Sequence, residues 1–365
     1  MPAPTVHLVD TSEALLQHAP ELAAADALGV DTEFVRERTW HPNPGLLQFS
    51  DGKHVWLVDP VMIDAEPLSA TIGELLQQPT TCKILHSVGE DLEVFDRIAG
   101  VLPEPLFDTQ RAAALLGHPL QLRYEDLARE LLAIELPGGL GRNDWLRRPL
   151  PQAWLDYAAD DVIALPAMRE RMLEGLDRLG RREWLEEDCR RLLRRWQQEA
   201  DPVERIRGAA GLNDAELERL TRMAQWRDQT ARARNLPRGF VVPDPALLAA
   251  ARLRPDDAAL ETRLAAIEKM PRRQLAVLTE LIRATPRPFQ RPPTLAPLTP
   301  DQRAQIKHLQ NTVRAAGEQL GVEPTLIASK RDLTRLVQTG SCDWLNGWRG
   351  ELLGDSFGTG SKASE

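Results

Sequence analysis

Three short segments of this 365-residue chain carry side chains whose types and spacing could do chemistry together. In LGVDTEF, residues 28–34, Leu28, Gly29 and Val30 read as the end of a buried strand, and Asp31 and Glu33 follow on alternate positions. Residues two apart in a strand point to one face, so the two acids stand side by side at the end of a sheet. In HSVGEDLEVF, residues 86–95, Asp91 falls in the first turns of an amphipathic helix, a few residues beyond the strand pattern CKILHS. In YAADDV, residues 157–162, Tyr157 and Asp161 are four apart and share a helical face, which Asp160 also reaches. Carboxylate oxygens are the ligands that hard cations such as Mg2+ or Mn2+ prefer. Crowded without a cation, the same acids would repel one another and resist ionisation. Taken singly, each reads as a solvated surface group, the common fate of Asp and Glu.

The elements around these segments suggest an α/β domain followed by helical units. ALGVDTEF, GLLQFSDG and HVWLVDP predict three consecutive strands, the last two joined by the turn sequence SDGK. LSATIGELLQQ and VGEDLEVFDRIAG have helical periods, and Asp108 or Thr109 caps a helix over FDTQRAAALLG. Strands mixed with helices over about 170 residues predict a mixed sheet covered by helices. The expected organisation is an α/β domain over 1–170 and a helical connector over 171–201. A helical bundle over 202–285, a proline-rich linker over 286–300, a second helical unit over 301–353 and a disordered tail over 354–365 complete it. Residues 152–198 have a helical pattern with Pro166 as a candidate kink, and six prolines in residues 286–300 read as a stiff spacer.

Charge is unevenly spread along the chain. The net charge is −9, yet residues 203–292 carry +6 and the remainder −15. An acidic part joined to a basic one suits a protein that uses metal and handles polyanions. No run of apolar residues is long enough for a membrane span, and MPAPTVHLVD lacks the pattern of a secretory leader, so the expected compartment is the cytoplasm. Cys82, Cys189 and Cys342 are too few and too scattered for a disulfide framework or a zinc site.

The three acidic segments, in this order, resemble the exonuclease motifs of the tyrosine-bearing branch of the DEDD superfamily: Asp-x-Glu, a single Asp, then Tyr-x-x-x-Asp. GVDTEFVRERTWHPNPGLLQFS, FDTQRAAALLG and NDWLRRPLPQAWLDYAADDV resemble the ribonuclease D family across its catalytic domain. MAQWRDQTARARNLPRGFVVPDPALLAAAR resembles the small helical HRDC domain that this family shares with RecQ-type helicases. The resemblance spans essentially residues 5–353.

It implies a ribonuclease H-like catalytic domain with a mixed sheet flanked by helices, followed by two small all-α domains. It also implies two divalent cations, Mg2+ or Mn2+, held by Asp31, Glu33, Asp91 and Asp161. Asp31 would touch both, Glu33 and Asp161 the one nearer the attacking water, and Asp91 would act through bound water. Tyr157 would orient that water, since an unperturbed phenol is a poor base at neutral pH. Thr32 and Phe34 would meet the terminal nucleotide, and Arg142 would stand in for a lysine common in the family. His86 reads as a packing residue or a substrate contact. Trp40 and His41 cover a core or stack on a base. Arg227, Arg232, Arg234 and Arg238 around Trp226 form either a solvated face or an RNA contact.

The implied activity is a metal-dependent 3′→5′ exoribonuclease. It would release nucleoside 5′-monophosphates from the 3′ ends of transfer RNA precursors and other small structured RNAs, acting as a monomer. The alternatives are a 3′→5′ DNA exonuclease using the same five residues, and a noncatalytic RNA-binding scaffold.

Overall fold

The computed structural model describes residues 4–137, 139, 143–198 and 201–354. Among these residues a six-stranded sheet is built from β1 (Thr5–Val9), β2 (Ala27–Val35), β3 (Asn43–Ser50), β4 (His54–Val58), β5 (Cys82–Leu85) and β6 (Leu106–Asp108). The order across the sheet is β1-β4-β3-β2-β5-β6. β2, β3 and β4 pair antiparallel, whereas β1 with β4, β2 with β5, and β5 with β6 are parallel. The three predicted strands are present as β2, β3 and β4. β2 is central and buried on both faces, so Leu28 and Val30 are fully enclosed.

Five helices follow within this unit: α1 (Ser12–Ala24), α2 (Ala65–Gln77), α3 (Asp91–Ala99), α4 (Thr109–Leu115) and α5 (Tyr124–Leu132). Residues 152–197 form α6 (Gln152–Ile163), α7 (Leu165–Leu179) and α8 (Arg182–Gln197) instead of one kinked helix. Pro166 stands in the first turn of α7, where its missing N–H leaves no hydrogen bond unmade, so it starts a helix where the sequence suggested a kink. α3 packs on β2 from one side of the sheet, and α6 and α7 pack on it from the other.

The helical bundle contains α9 (Asp214–Ala233), α10 (Arg238–Val241), α11 (Asp244–Ala251), α12 (Leu260–Ala265) and α13 (Leu275–Arg283) around its own core. Trp40, from the loop after β2, packs against that core and therefore covers a different unit from its own. Asn235, left-handed at φ 49°, accepts hydrogen bonds from the backbone N–H groups of Trp40 and His41 through its side-chain oxygen. The proline-rich segment is no free spacer. Arg291 binds Asp214 and the Leu212 and Leu295 carbonyls, while Leu295 is buried in the bundle core.

The last helices are α14 (Pro300–Leu320), α15 (Pro324–Ile327), α16 (Lys330–Thr339) and α17 (Trp348–Leu353). Their apolar residues join the core of the α/β unit, so the second helical unit docks back on it. At this junction Arg349 is fully buried and donates to both oxygens of the equally buried Asp188 on α8 and to the Leu326 and Ile327 carbonyls. Trp348 donates to the same carboxylate and stacks on Trp184, with 4.4 Å between ring centroids. Residues 355–365, expected as a tail, lie outside the described residues.

Candidate active site

Close approach of α6 to β2 creates the site, and a glycine permits it. Gly29 faces the end of α6, where a Cβ would come within 2.6 Å of the Val162 carbonyl oxygen and 2.9 Å of Leu165 Cβ. Asp31 and Glu33 lie two and four residues further along the same strand face. Asp161, immediately before Val162, meets them across the gap. Among the described residues, Asp31, Glu33 and Asp161 form the one group of metal-ligating side chains whose donor atoms lie within 4.8 Å of one another.

The pairing register changes between Glu33 and Phe34, opposite Leu46 and Pro44, which leaves Gly45 as the extra residue of a bulge. A Cβ on Gly45 would meet Trp145 at 2.6 Å. The buried Trp145 ring lies 6.4 Å from that of Tyr157 and so supports the phenol from behind. Arg148 fixes the Trp145 segment by binding Asp59 and the carbonyls of Gly45 and Trp145. The Tyr157 hydroxyl and the Asp161 carboxylate influence each other's protonation.

Asp91 reaches the site from α3, on the other side of β2. Its Oδ1 accepts the Thr32 hydroxyl at 2.5 Å. Thr32 lies between the two acids in sequence and points to the opposite face, so this bond ties the second acidic segment to the first. Asp91 stands outside the compact three-acid group.

Electrostatically the cluster is uncompensated. Burial, then repulsion from Asp91, Asp161 and Glu33, raises the Asp31 carboxyl well above its ordinary range. Burial and the neighbouring Asp161 and Asp91 push Glu33 to about 9. Burial raises Asp161 to about 7 against the hydrogen-bonding effect of Tyr157, and raises Asp91 to about 6 against that of Thr32. Burial together with Asp161 and Glu33 also raises the Tyr157 phenol, which therefore holds its proton at neutral pH. Oxygen donors at this spacing, each resisting ionisation, fit a divalent cation that supplies the missing positive charge.

The remaining expected contacts divide. Thr32 is buried and its hydroxyl is committed to Asp91. His86 pairs through Nδ1 with Thr109 Oγ1 and through Nε2 with the Leu122 carbonyl, so both ring nitrogens serve the fold. Phe34 is half-buried against the core beside the acids. Arg232 lies over the Trp40 ring at 5.2 Å, and Arg234 is exposed at the end of α9. Arg227 is buried and paired with Asp244, and Arg238 with Asp228. Arg142 lies outside the described residues.

Sequence reasoning missed Tyr124. The chain has only two tyrosines, and both line a cavity of about 200 Å3 with Asp31, Asp161, His86 and Glu125. Tyr124 donates its hydroxyl to the Asp160 carbonyl at 3.0 Å and so steadies the turn of α6 that carries Asp161.

Comparison with known proteins agrees with this geometry. Residues 6–177 match the family model of a 3′-5′ exonuclease, and residues 216–284 match the HRDC domain. Ribonuclease D of Pseudomonas paraeruginosa is 38% identical over 97% of both chains, and ribonuclease D of Escherichia coli is 32% identical over 96% of both. The crystal structure of Escherichia coli RNase D, described as an exoribonuclease involved in structured RNA processing, superimposes with a TM-score of 0.87 at 30% identity. That match covers 97% of this chain and 98% of the other. With the acids and the phenol arranged as above and relatives matched over nearly its whole length, the chain belongs to the ribonuclease D family.

Proposed function

We propose that the protein is a metal-dependent 3′→5′ exoribonuclease that releases nucleoside 5′-monophosphates from transfer RNA precursors and other small structured RNAs. The observation that carries this reading is the convergence of Asp31, Glu33 and Asp161 within 4.8 Å, with Tyr157 beside Asp161. Asp31, Glu33 and Asp161, supported by Asp91, would hold two divalent cations, Mg2+ or Mn2+. When bound, these supply an activated water and charge neutralisation for an in-line displacement at phosphorus. Tyr157 keeps its proton and would orient the nucleophile through its hydroxyl. Trp145 holds the phenol in place, and Thr32 holds Asp91.

An RNA end must reach this cavity as a single strand, which basic grooves with aromatic side chains hold. Arg36, Trp40, Arg205, Arg232 and Arg238 line a cavity of about 470 Å3 between the sheet unit and the bundle and would receive that strand. On this reading the nuclease unit is residues 1–170, with the connector, HRDC-type unit and second helical unit at the boundaries given above. Among the described residues no helix is long and apolar enough to cross a membrane. We place the enzyme in the cytoplasm, acting as a monomer.

Digestion of an end-labelled transfer RNA precursor with a short 3′ trailer tests the reading, with a DNA strand of the same sequence beside it. Stepwise shortening from the 3′ end, yielding mononucleotides with Mg2+ or Mn2+ and stopped by EDTA or by Asp31→Ala, is expected. Equal or faster degradation of the DNA would overturn the sugar assignment. RNA binding without cleavage would replace the enzyme by a scaffold.

A further inference from the structure

Cationic side chains in folded proteins are normally solvated or paired. Arg191 on α8 departs from the second condition. It is half-buried, and among the described residues no hydrogen bond or ion pair satisfies its guanidinium. Burial and the neighbouring cations Arg349, Arg111 and Arg195 lower its pKa to about 10, with Asp188 opposing them. Two of its neighbours have long ion pairs, Arg111 with Asp188 at 3.8 Å and Arg195 with Asp332 at 3.9 Å, and the carboxylates nearby have other donors as well. Asp188 accepts from Arg349 and Trp348, Asp108 from the backbone N–H groups of Gln110, Arg111 and Val88, and Asp332 from Ser329.

Arg111, Arg191 and Arg195 line a cavity of about 380 Å3 between the α/β unit and the last helices. One wall is the turn Ser87-Val88-Gly89, directly before the helix that carries Asp91. Ser87 has φ 62°, a left-handed conformation that turns the chain sharply. His86 therefore lines the acidic cavity while the next three residues line the arginine cavity. Consecutive residues of one segment thus line the two cavities.

We propose that this arginine-lined cavity binds a backbone phosphate of the RNA strand, upstream of the nucleotide being removed. The inference rests on the exoribonuclease reading. Three guanidiniums around one space suit a phosphodiester, since each offers a planar fork of donors to its oxygens. The position beside the acidic cavity favours a phosphate of the bound strand over a free anion.

The test uses the full chain with Asp161→Asn, so that RNA is not degraded during titration, and compares it with the same chain also carrying Arg191→Gln. A single-stranded RNA of about a dozen nucleotides should bind about tenfold more weakly to the second protein, the scale of one hydrogen bond to a charged group. The slope of log affinity against log salt should become shallower by about 0.7, the value for one lost phosphate contact on a single strand. A structural arginine would not change this slope. Removing it would lower the melting temperature, whereas relieving repulsion among Arg191, Arg111, Arg195 and Arg349 should leave it unchanged or raise it. Arg195→Gln, at an exposed position of the same cavity, provides a second variant if Arg191→Gln does not fold.

Equal RNA affinity and slope in both proteins, with trimming by the unaltered enzyme intact, would overturn this site alone. Inorganic phosphate or a nucleoside 5′-monophosphate that raises the melting temperature only when Arg191 is present, with RNA affinity equal, would assign the cavity to a free anion and also overturn the proposal. If the unaltered enzyme trims no RNA, the exoribonuclease reading itself fails.

Discussion

Two carboxylate sites of this chain are treated oppositely by their surroundings. At the end of β2, Asp31, Glu33 and Asp161 face one another without a cationic partner among them, and their carboxyl groups are held above the ordinary range. On α8, Asp188 is fully buried against Arg349, which holds its carboxyl below that range despite burial. Burial opposes ionisation in both places, so the neighbours decide the outcome. Asp188 is arranged for the folded state, with donors from Arg349 and Trp348. The acids of β2 and α6 are arranged for something the chain alone does not supply. Such strain is what functional sites retain and structural ones lose.

Neutralising one acid in each place should separate the two designs most strongly. Asp31→Asn should reduce trimming by at least on the order of a thousandfold, since several kcal/mol of transition-state stabilisation depend on cation binding. In EDTA the same variant should melt at a higher temperature than the unaltered protein, because one repelling carboxylate is gone. Asp188→Asn should do the reverse and destabilise by about 3–5 kcal/mol, as a buried Arg349 loses its counter-charge. Denaturant titration of both variants in EDTA checks the pair. A destabilised Asp31→Asn would mean that its carboxylate is part of the structural frame.

The sequence exposed the first design better than the second. Asp31 and Glu33 were readable as a pair because strand period is two, and Tyr157 with Asp161 because helical neighbours are four apart. Thr32 bonded to Asp91 was not readable, since its partners are 59 residues apart and no periodicity relates them. Arg349 and Asp188 are 161 apart, and each resembles an ordinary solvated charge in its own segment. β1 was missed because it lies at the sheet edge with Val6 and Leu8 exposed, and β6 because three residues set no pattern. Pro166 was misread because proline starts helices as readily as it breaks them, and only the position of the preceding helix end tells which.

Gly29→Ala shifts the acids without altering any charge. Its methyl group would press on the Val162 carbonyl and Leu165, and α6 would have to move away from β2 with Tyr157 and Asp161. Overpacking of this kind costs about 1–3 kcal/mol, and a displacement of about 1 Å at a catalytic group lowers rates by about a hundredfold. The expected result is a fall in kcat on RNA much larger than the change in KM. Unchanged kcat would mean that α6 approaches β2 more closely than the chemistry needs.

The smallest expected effect, a few degrees in melting temperature, sets the two sites against each other through pH. Glu33, Asp161 and Asp91 are raised to about 9, 7 and 6, so between about pH 4 and 9 the metal-free folded protein holds protons that the unfolded chain has released. Stability in EDTA therefore falls as pH rises across that window. Asp188 is depressed, so its contribution is complete above the unfolded carboxyl value and is lost as pH falls through the folded one. Cation binding displaces the protons of the first site and stabilises the folded state by mass action. The melting temperature lost on replacing Mg2+ by EDTA should consequently be larger at pH 8 than at pH 5. In Asp188→Asn that difference should persist, while the decline of stability below pH 4 becomes shallower than in the unaltered chain. An EDTA effect equal at both pH values would show that the acids are already ionised without metal, and the contrast between the two carboxylate sites would then rest on geometry alone.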